Sequence, residues 1–176
     1  MGLTAQAAFP WPAGKRVAVS LSFDDARASQ VLSGLDLLQR HGAKATTSAY
    51  PCGSKFIGRG VHTQSYVPLV AKRFRAGRGF RDEAANDPAY GDLAQLFGVD
   101  SDGMTFEAMK EAVRKAEPQG GWLVFAGHEI GKPGPQTTQA AVLENFLRYA
   151  KDPANGIWLD TVETIAGYVQ KHRAAP

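Results

Sequence analysis

Short apolar runs alternate with segments of helical period along this chain. The runs over 17–23 and 122–126 predict buried strands, and shorter strands are predicted over 44–50 and 157–159. Predicted helices are, in chain order, 26–41, 66–74, a segment striped by Phe106, Met109 and Val113, 138–151, and a last helix striped by Val162, Ile165 and Val169. The alternation indicates an α/β fold with mainly parallel strands.

Local signals mark the ends of several elements. Gly42 follows His41 at a natural C-cap position and predicts the end of the first helix. Asp160, with Glu163 three residues later, matches a capping box and predicts the start of the last helix. Residues 77–104 are rich in Gly, Asp, Asn and Pro, which predicts loops with a short helix over 92–97.

Composition is that of a globular chain with one core. The chain has 176 residues, of which 44% are hydrophobic and 21% charged, and a net charge of +3. The basic residues are scattered, and the densest group, Arg73, Arg75, Arg78 and Arg81, is predicted to form a solvated face. Nucleic acid is therefore not an expected partner. Cys52 is the single cysteine, which excludes an intrachain disulfide and a thiolate-cluster metal site.

Membrane and targeting signals are absent from the sequence. No run approaches the roughly 18 apolar residues of a membrane span. The N-terminus lacks a charged segment followed by an apolar one, as a signal peptide would have. We therefore expect a soluble chain without membrane association, either cytoplasmic or secreted after processing.

Polar residues follow three predicted strands, as Asp24-Asp25, Pro51-Cys52-Gly53 and His128-Glu129. Because the carboxyl ends of parallel strands meet at one edge of a sheet, we expect these residues to lie together. Asp24 would take a proton from water, a backbone amide near Cys52 would hold the developing oxyanion, and His128 would protonate the leaving group. These are the parts of an acyl-hydrolysing site.

Each feature also has a structural explanation. Either aspartate alone fits an N-cap, a histidine after a strand is often a hydrogen-bonded structural residue, and Pro-Cys-Gly alone is a turn. Cys52 as a nucleophile, with His128 or His62 as its base, is less favoured, because no neighbouring helix N-terminus would stabilise a thiolate. The coincidence of three features favours a site over any one structural explanation.

Three motifs of the chain resemble those of the polysaccharide deacetylases, the NodB-homology carbohydrate esterases. Residues 19–25 (VSLSFDD), 49–53 (AYPCG) and 123–130 (LVFAGHEI) are similar to the first, third and fifth family motifs. Residues 136–139 and 156–162 resemble the closing part of the same fold. The resemblance implies a shortened, open (β/α)-barrel-like α/β fold with mainly parallel strands.

The resemblance also implies domain limits and roles for residues. A single deacetylase-like domain is expected over 16–176, after an N-terminal extension over 1–15. Carried over by position, Asp24 is the general base, Asp25 a metal ligand, His128 the general acid, and the Cys52 backbone amide the oxyanion donor. The implied cofactor is a divalent metal, most often zinc, that polarises the acetyl carbonyl.

The chain departs from the family pattern where a metal would bind. The His-Ser/Thr-x-x-His motif, which supplies two histidine ligands, is missing, and an internal deletion is expected near 46–47. His62 begins a faint echo of that motif, and at best His62 or His128 replaces a missing histidine ligand beside Asp25, so metal binding is expected to be weak or absent. Ala49 stands where many members have an arginine that steers the base, and no acidic partner for His128 is recognised.

The expected activity is hydrolytic removal of acetyl groups from an acetylated carbohydrate. Candidate substrate-binding residues are Tyr50, Pro51, Trp122 and Trp158, although both tryptophans lie in strand-like segments that favour core packing. The alternative is a carbohydrate-binding or scaffolding pseudoenzyme of the same fold. Since lost barrel strands would expose backbone edges and apolar faces, a homo-oligomer is expected.

Overall fold

The computed structural model describes residues 8–25, 27–43, 45–46, 49–80 and 82–173. The strands are β1 Val17–Phe23, β2 Ala45–Thr46, β3 Phe56–Ile57, β4 Gln64–Ser65, β5 Val99–Asp100, β6 Trp122–Gly127, β7 Glu129–Gly131, β8 Thr137–Gln139 and β9 Ile157–Leu159. The α-helices are α1 Leu35–Arg40, α2 Val67–Arg73, α3 Phe106–Ala116, α4 Ala140–Lys151 and α5 Val162–His172. None of the helices in this part of the chain is long and apolar enough to cross a bilayer.

A parallel sheet of five strands forms the centre of the fold. Its order is β2-β1-β6-β5, and β9 pairs with the first half of β1. Isolated parallel bridges join Ala49 to Arg78 and Arg78 to Leu96. The hydrogen-bonded strands of the described residues do not close a barrel, so the predicted open α/β fold with parallel strands is confirmed.

Strand β1 separates two parts of the core. Val17, Val19, Leu21 and Phe23 face a cluster that includes residues of α1, α3 and α4. The alternate side carries Ala18, which belongs to a second cluster with α5. Because side chains alternate along a strand, Ser20 and Ser22 share the side of Ala18. Polar groups therefore run along one side of β1 toward its carboxyl end.

The second cluster includes residues that precede the expected domain boundary. Phe9 and Trp11 are buried in it, and Trp11 Nε1 donates a hydrogen bond to the Gly120 carbonyl at 2.8 Å. These contacts tie residues 9–11 to the amino end of β6. Residues 1–7 and the expected deletion point at Thr47 lie outside the described residues.

Most predicted elements are confirmed, and the exceptions have local causes. The first helix contains a π-helical stretch over Gln30–Gly34 before α1, which apolar spacing alone does not reveal. The short strands β3, β4, β5, β7 and β8 are not predicted from the sequence, because two or three residues carry too little periodicity.

The start of the last helix was predicted wrongly by one residue. Its N-cap is Thr161, whose side chain accepts a hydrogen bond from the Thr164 amide at 3.1 Å. The Asp160 carboxylate instead accepts from the Thr161 amide at 2.8 Å. Both residue types favour this position, so the capping-box spacing selected the wrong one.

Candidate active site

Asp24 and His128 follow directly on paired residues of neighbouring strands. Phe23 of β1 is in register with Gly127 of β6, and the Asp24 amide donates to the Gly127 carbonyl at 2.8 Å. The Gln30 side chain donates to the carbonyls of Asp24, at 2.6 Å, and His128, at 2.9 Å. Both side chains line one pocket of about 520 Å³. The structure therefore brings the two predicted groups together.

The Asp24 carboxylate is held by a buried arginine. Arg78 Nη2 donates to Asp24 Oδ1, and the Arg78 side chain is fully inaccessible to solvent. Its other two nitrogens also donate, Nε to Ser22 Oγ at 3.3 Å and Nη1 to the Gly79 carbonyl at 2.7 Å. A guanidinium held in this way pairs with the carboxylate and limits its orientation.

Arg78 corrects the prediction of a solvated arginine face. Arg73 and Arg75 are exposed, as expected, but Arg78 is 0% exposed. It enters the interior because its backbone bridges to Ala49 and Leu96 and its side chain reaches the polar side of β1. Charge density along the sequence does not distinguish such a residue from its solvated neighbours.

His128 is held by a buried carboxylate, that of Asp102. Its Nδ1 lies 2.6 Å from Asp102 Oδ2, and both side chains are 9% exposed. Asp102 Oδ1 accepts from the His128 amide at 3.2 Å and from Thr138 Oγ1 at 3.0 Å. Because Asp102 accepts at Nδ1, the neutral imidazole carries its proton there and leaves Nε2 unprotonated.

The glycine before His128 is required by this network. A Cβ at Gly127 would lie 2.5 Å from Thr138 Oγ1 and 2.7 Å from Ser101 Oγ. Those two hydroxyls are themselves hydrogen-bonded at 2.8 Å. A side chain at this position would displace the residues that support Asp102.

The Pro51-Cys52-Gly53 turn forms another wall of the pocket. Cys52 has φ 51°, a left-handed conformation that costs a non-glycine residue free energy. The Gly53 and Ser54 amides close the turn by donating to the Tyr50 and Pro51 carbonyls at 2.9 and 3.0 Å. This backbone is fixed next to the pocket that contains Asp24 and His128.

Asp25 lines the pocket but is already paired with a cation. Arg27 Nη2 donates to Asp25 Oδ2 at 2.9 Å, and Arg27 Nη1 lies 3.8 Å from Glu129 Oε1. The Asp25 side chain is 54% exposed, and the Asp25 backbone has a left-handed φ of 64°. An ion pair with a neighbouring arginine competes with a metal for the same carboxylate oxygens.

The residues described do not fit the expected zinc ion. Zinc sites usually need three or four protein ligands, and no group of three His, Cys, Asp or Glu residues in the described ranges is arranged to hold a metal. His62 is exposed on the short helix Gly60–His62 and is not among the residues that line the Asp25 pocket.

The predicted substrate-binding residues fall into two groups. Tyr50 and Pro51 line the pocket with Asp24. Trp122 is fully buried, with its Nε1 donating to Ser20 Oγ at 3.1 Å, so its ring cannot meet a ligand. Trp158 lies on β9, which pairs with the opposite end of β1, and lines a separate surface cleft with Tyr168.

Sequence reasoning missed Arg78 and Asp102. Arg78 stands between two glycines in an aperiodic segment, which is a signal for close backbone approach. Asp102 follows β5, a strand too short to be predicted, and so was not recognised as lying at the same edge of the sheet. Both become visible only when the sheet order is known.

Comparison with known proteins supports the fold. No known family model matches the chain, and no curated protein matches it. A crystal structure named "putative polysaccharide deacetylase from Mycobacterium smegmatis" is similar, with a TM-score of 0.63 and 16% sequence identity. The similarity covers 99% of this chain and 97% of the other. The fold is therefore that of a polysaccharide deacetylase-like α/β domain.

Proposed function

We propose that this protein hydrolyses acetyl groups from an acetylated carbohydrate. The proposal is carried by one observation: Asp24 and His128 line the same pocket, and each is held by a hydrogen bond to a buried side chain, Arg78 for Asp24 and Asp102 for His128. A carboxylate and an imidazole that are both fixed in orientation are the two groups that acyl hydrolysis requires. The fold similarity and the resemblance of the motifs point to the same class of reaction.

Asp24 acts as the general base in the proposed reaction. Asp24 takes a proton from a water molecule while the water oxygen bonds to the carbon of the acetyl carbonyl. The oxygen of that carbonyl gains the negative charge and accepts a hydrogen bond from the Cys52 amide. Arg78 fixes the orientation of the Asp24 carboxylate and does not itself transfer a proton.

His128 acts as the general acid in the second half of the reaction. In its doubly protonated form, with Nδ1–H held by Asp102, it gives the Nε2 proton to the leaving sugar nitrogen or oxygen as the bond to the acetyl carbon breaks. The products are acetic acid, which gives its proton to solvent to become acetate, and the free amine or alcohol of the sugar. Asp24 then holds one extra proton and His128 lacks one, so proton exchange with solvent restores both.

The divalent metal of related deacetylases is not assigned a step here. It would polarise the acetyl carbonyl, but the only ligand that matches the family motif is Asp25, which pairs with Arg27. That pair favours a second candidate function, a carbohydrate-binding or scaffolding pseudoenzyme that keeps the pocket without the activity.

Acetate release from acetylated chito-oligosaccharides and acetylated xylan tests the proposal, with and without added zinc or cobalt. We expect release that Asp24→Asn reduces by at least about 100-fold, the usual contribution of a general base. Asp36→Asn is the matched control, since Asp36 is exposed on α1. Sugar binding without acetate release under any metal condition would favour the pseudoenzyme.

A further inference from the structure

A second cleft lies against the pocket that contains Asp24 and His128. Its volume is about 270 Å³. The two cavities share Ala49, Tyr50 and Pro51 as a common wall. A molecule whose acetyl group lies at Asp24 can therefore extend over this wall into the second cleft. We call this second cavity the Tyr66 cleft.

The remaining walls of the Tyr66 cleft are aromatic and aliphatic. They are formed by Tyr66, Leu69, Val70 and Phe74, together with Ala76 and Gly77. Leu69 is 55% and Phe74 61% exposed. Exposed apolar side chains that line a cavity beside a reactive site are typical of ligand binding.

The tyrosines of this cleft present carbon surface and not free hydroxyls. The Tyr50 hydroxyl donates to the Ala94 carbonyl at 2.6 Å, and the Tyr66 hydroxyl donates to the Ser54 carbonyl. The two rings meet edge to face, with centroids 5.3 Å apart. None of the described side chains that line the cleft is charged.

These surroundings are unfavourable for a further sugar unit. Sugar hydroxyls that lie against this lining without hydrogen-bond partners cost free energy, and the hydroxyl protons of both tyrosines are already donated to the Ala94 and Ser54 carbonyls. An apolar group has no hydrogen bonds to water to lose, and its transfer from water into the cleft is favourable in free energy. An apolar cavity of about 150 Å³ is sufficient to bind benzene in a protein, so the Tyr66 cleft has room for a phenyl ring.

We propose that the Tyr66 cleft binds an apolar substituent of the substrate, of about the size of a phenyl ring, beside the acetylated sugar. This inference rests on the proposed deacetylation and narrows its substrate to sugars with an aryl or alkyl aglycone. The common wall of Tyr50 and Pro51 places the substituent next to the sugar that carries the acetyl group.

Paired glycosides test the cleft through the reaction. The phenyl and methyl glycosides of N-acetylglucosamine, and of acetylated xylose, differ only in the group expected to enter it. We expect kcat/KM for the phenyl glycoside to exceed that for the methyl glycoside by about tenfold or more, which is about 1.4 kcal/mol.

Two variants separate the cleft from the rest of the surface. Leu69→Trp should bring the phenyl-to-methyl ratio of kcat/KM close to one, while Val61→Ser, at a residue 95% exposed outside the cleft, should preserve that ratio. Equal values in the unmodified protein, or an unchanged ratio in Leu69→Trp, would overturn the proposal.

Benzyl alcohol tests the cleft independently of catalysis. In NMR titrations of the full chain, we expect it to shift the resonances of Tyr66 and Val70, and Leu69→Trp to weaken that response several-fold. Shifts without any acetate release would refute the deacetylase function and retain the cleft. Acetate release without these shifts would retain the function and refute the cleft.

Discussion

Asp102 Oδ2 lies 2.6 Å from His128 Nδ1, although the two residues are 26 positions apart in the chain. The contact joins the end of β5 to the end of β6, which are neighbouring parallel strands. Asp102 also accepts from the His128 amide and from Thr138 Oγ1. Both of its oxygens are therefore engaged, Oδ2 with the imidazole and Oδ1 with the His128 amide and the Thr138 hydroxyl.

Asp102→Asn is expected to reduce acetate release by about 10²- to 10⁴-fold. An amide at this position has one acceptor instead of two and a donor that opposes Nδ1–H, so the imidazole loses its fixed tautomer. Rates at saturating and limiting substrate would separate this effect from weaker binding, because a loss confined to KM contradicts an effect on proton transfer. Asp87→Asn is the control, since Asp87 is exposed and accepts from the Ala89 amide in a turn.

Arg78→Met is expected to lower both activity and stability. Removing the guanidinium leaves the Asp24 carboxylate, which is 17% exposed, without its cation, and breaking a buried ion pair costs about 3–5 kcal/mol. Urea denaturation measures the loss of stability, and acetate release measures the effect on the base. Arg73→Met, at an exposed position on α2, should change neither. A stable Arg78→Met variant with full activity would show that Asp24 needs no such partner.

The sequence predicts the long strands of the fold better than it predicts the residues that support the site. Strands β1 and β6 are long, mostly apolar segments, and their pairing places Asp24 beside His128, as the carboxyl-end rule predicts. Arg78 and Asp102 were not predicted, because each is joined to its partner only by the order of strands in the sheet. Arg78 approaches through isolated bridges and Asp102 follows a strand of two residues, and neither leaves a periodic pattern.

Burial explains why Trp122 does not serve as a sugar-stacking residue, as its strand-like segment already suggests. Trp122 lies in the centre of the parallel sheet, and both faces of such a sheet are covered. The sequence therefore identified the site more reliably from polar residues at strand ends than from aromatic residues within strands.

Zinc is expected to bind this chain weakly. Asp25 is paired with Arg27, and no three His, Cys, Asp or Glu residues in the described ranges are grouped to hold a metal. Isothermal titration of the purified protein, followed by metal analysis after dialysis, should detect no tightly held equivalent, and Asp25→Ala should change this little. One tightly bound zinc that is lost in Asp25→Ala would show that the loop rearranges to complete a metal site.

A homo-oligomer remains a prediction for this chain. Val31, Leu32 and Leu35 are 66%, 78% and 46% exposed along the first helical segment, and exposed apolar faces of this kind favour association. We expect light scattering at micromolar concentration to give a mass above that of one chain. Leu32→Asp should shift the mass toward the monomer, whereas Ala141→Asp, at an exposed position of α4, should not. A monomer in the unmodified protein would refute the prediction.

Tyr50 is expected to make the free energy of unfolding depend on pH in the alkaline range. Burial raises the pKa of the Tyr50 hydroxyl above its ordinary value of 10.0, and Tyr66 and Asp92 raise it further. The unfolded chain therefore loses this proton at a lower pH than the folded chain. The stabilisation is complete below pH 10 and decreases as the pH rises toward the folded-state pKa.

Tyr50→Phe should remove this part of the pH dependence. At pH 8 the variant is expected to be less stable by about 1 kcal/mol, because the hydrogen bond to the Ala94 carbonyl is lost. Between pH 9 and 11 its free energy of unfolding should fall less steeply than that of the unmodified protein. Urea denaturation across this range measures both effects. Tyr90→Phe, at a residue 78% exposed, is the control, and parallel pH curves for Tyr50→Phe and the unmodified protein would contradict the assignment.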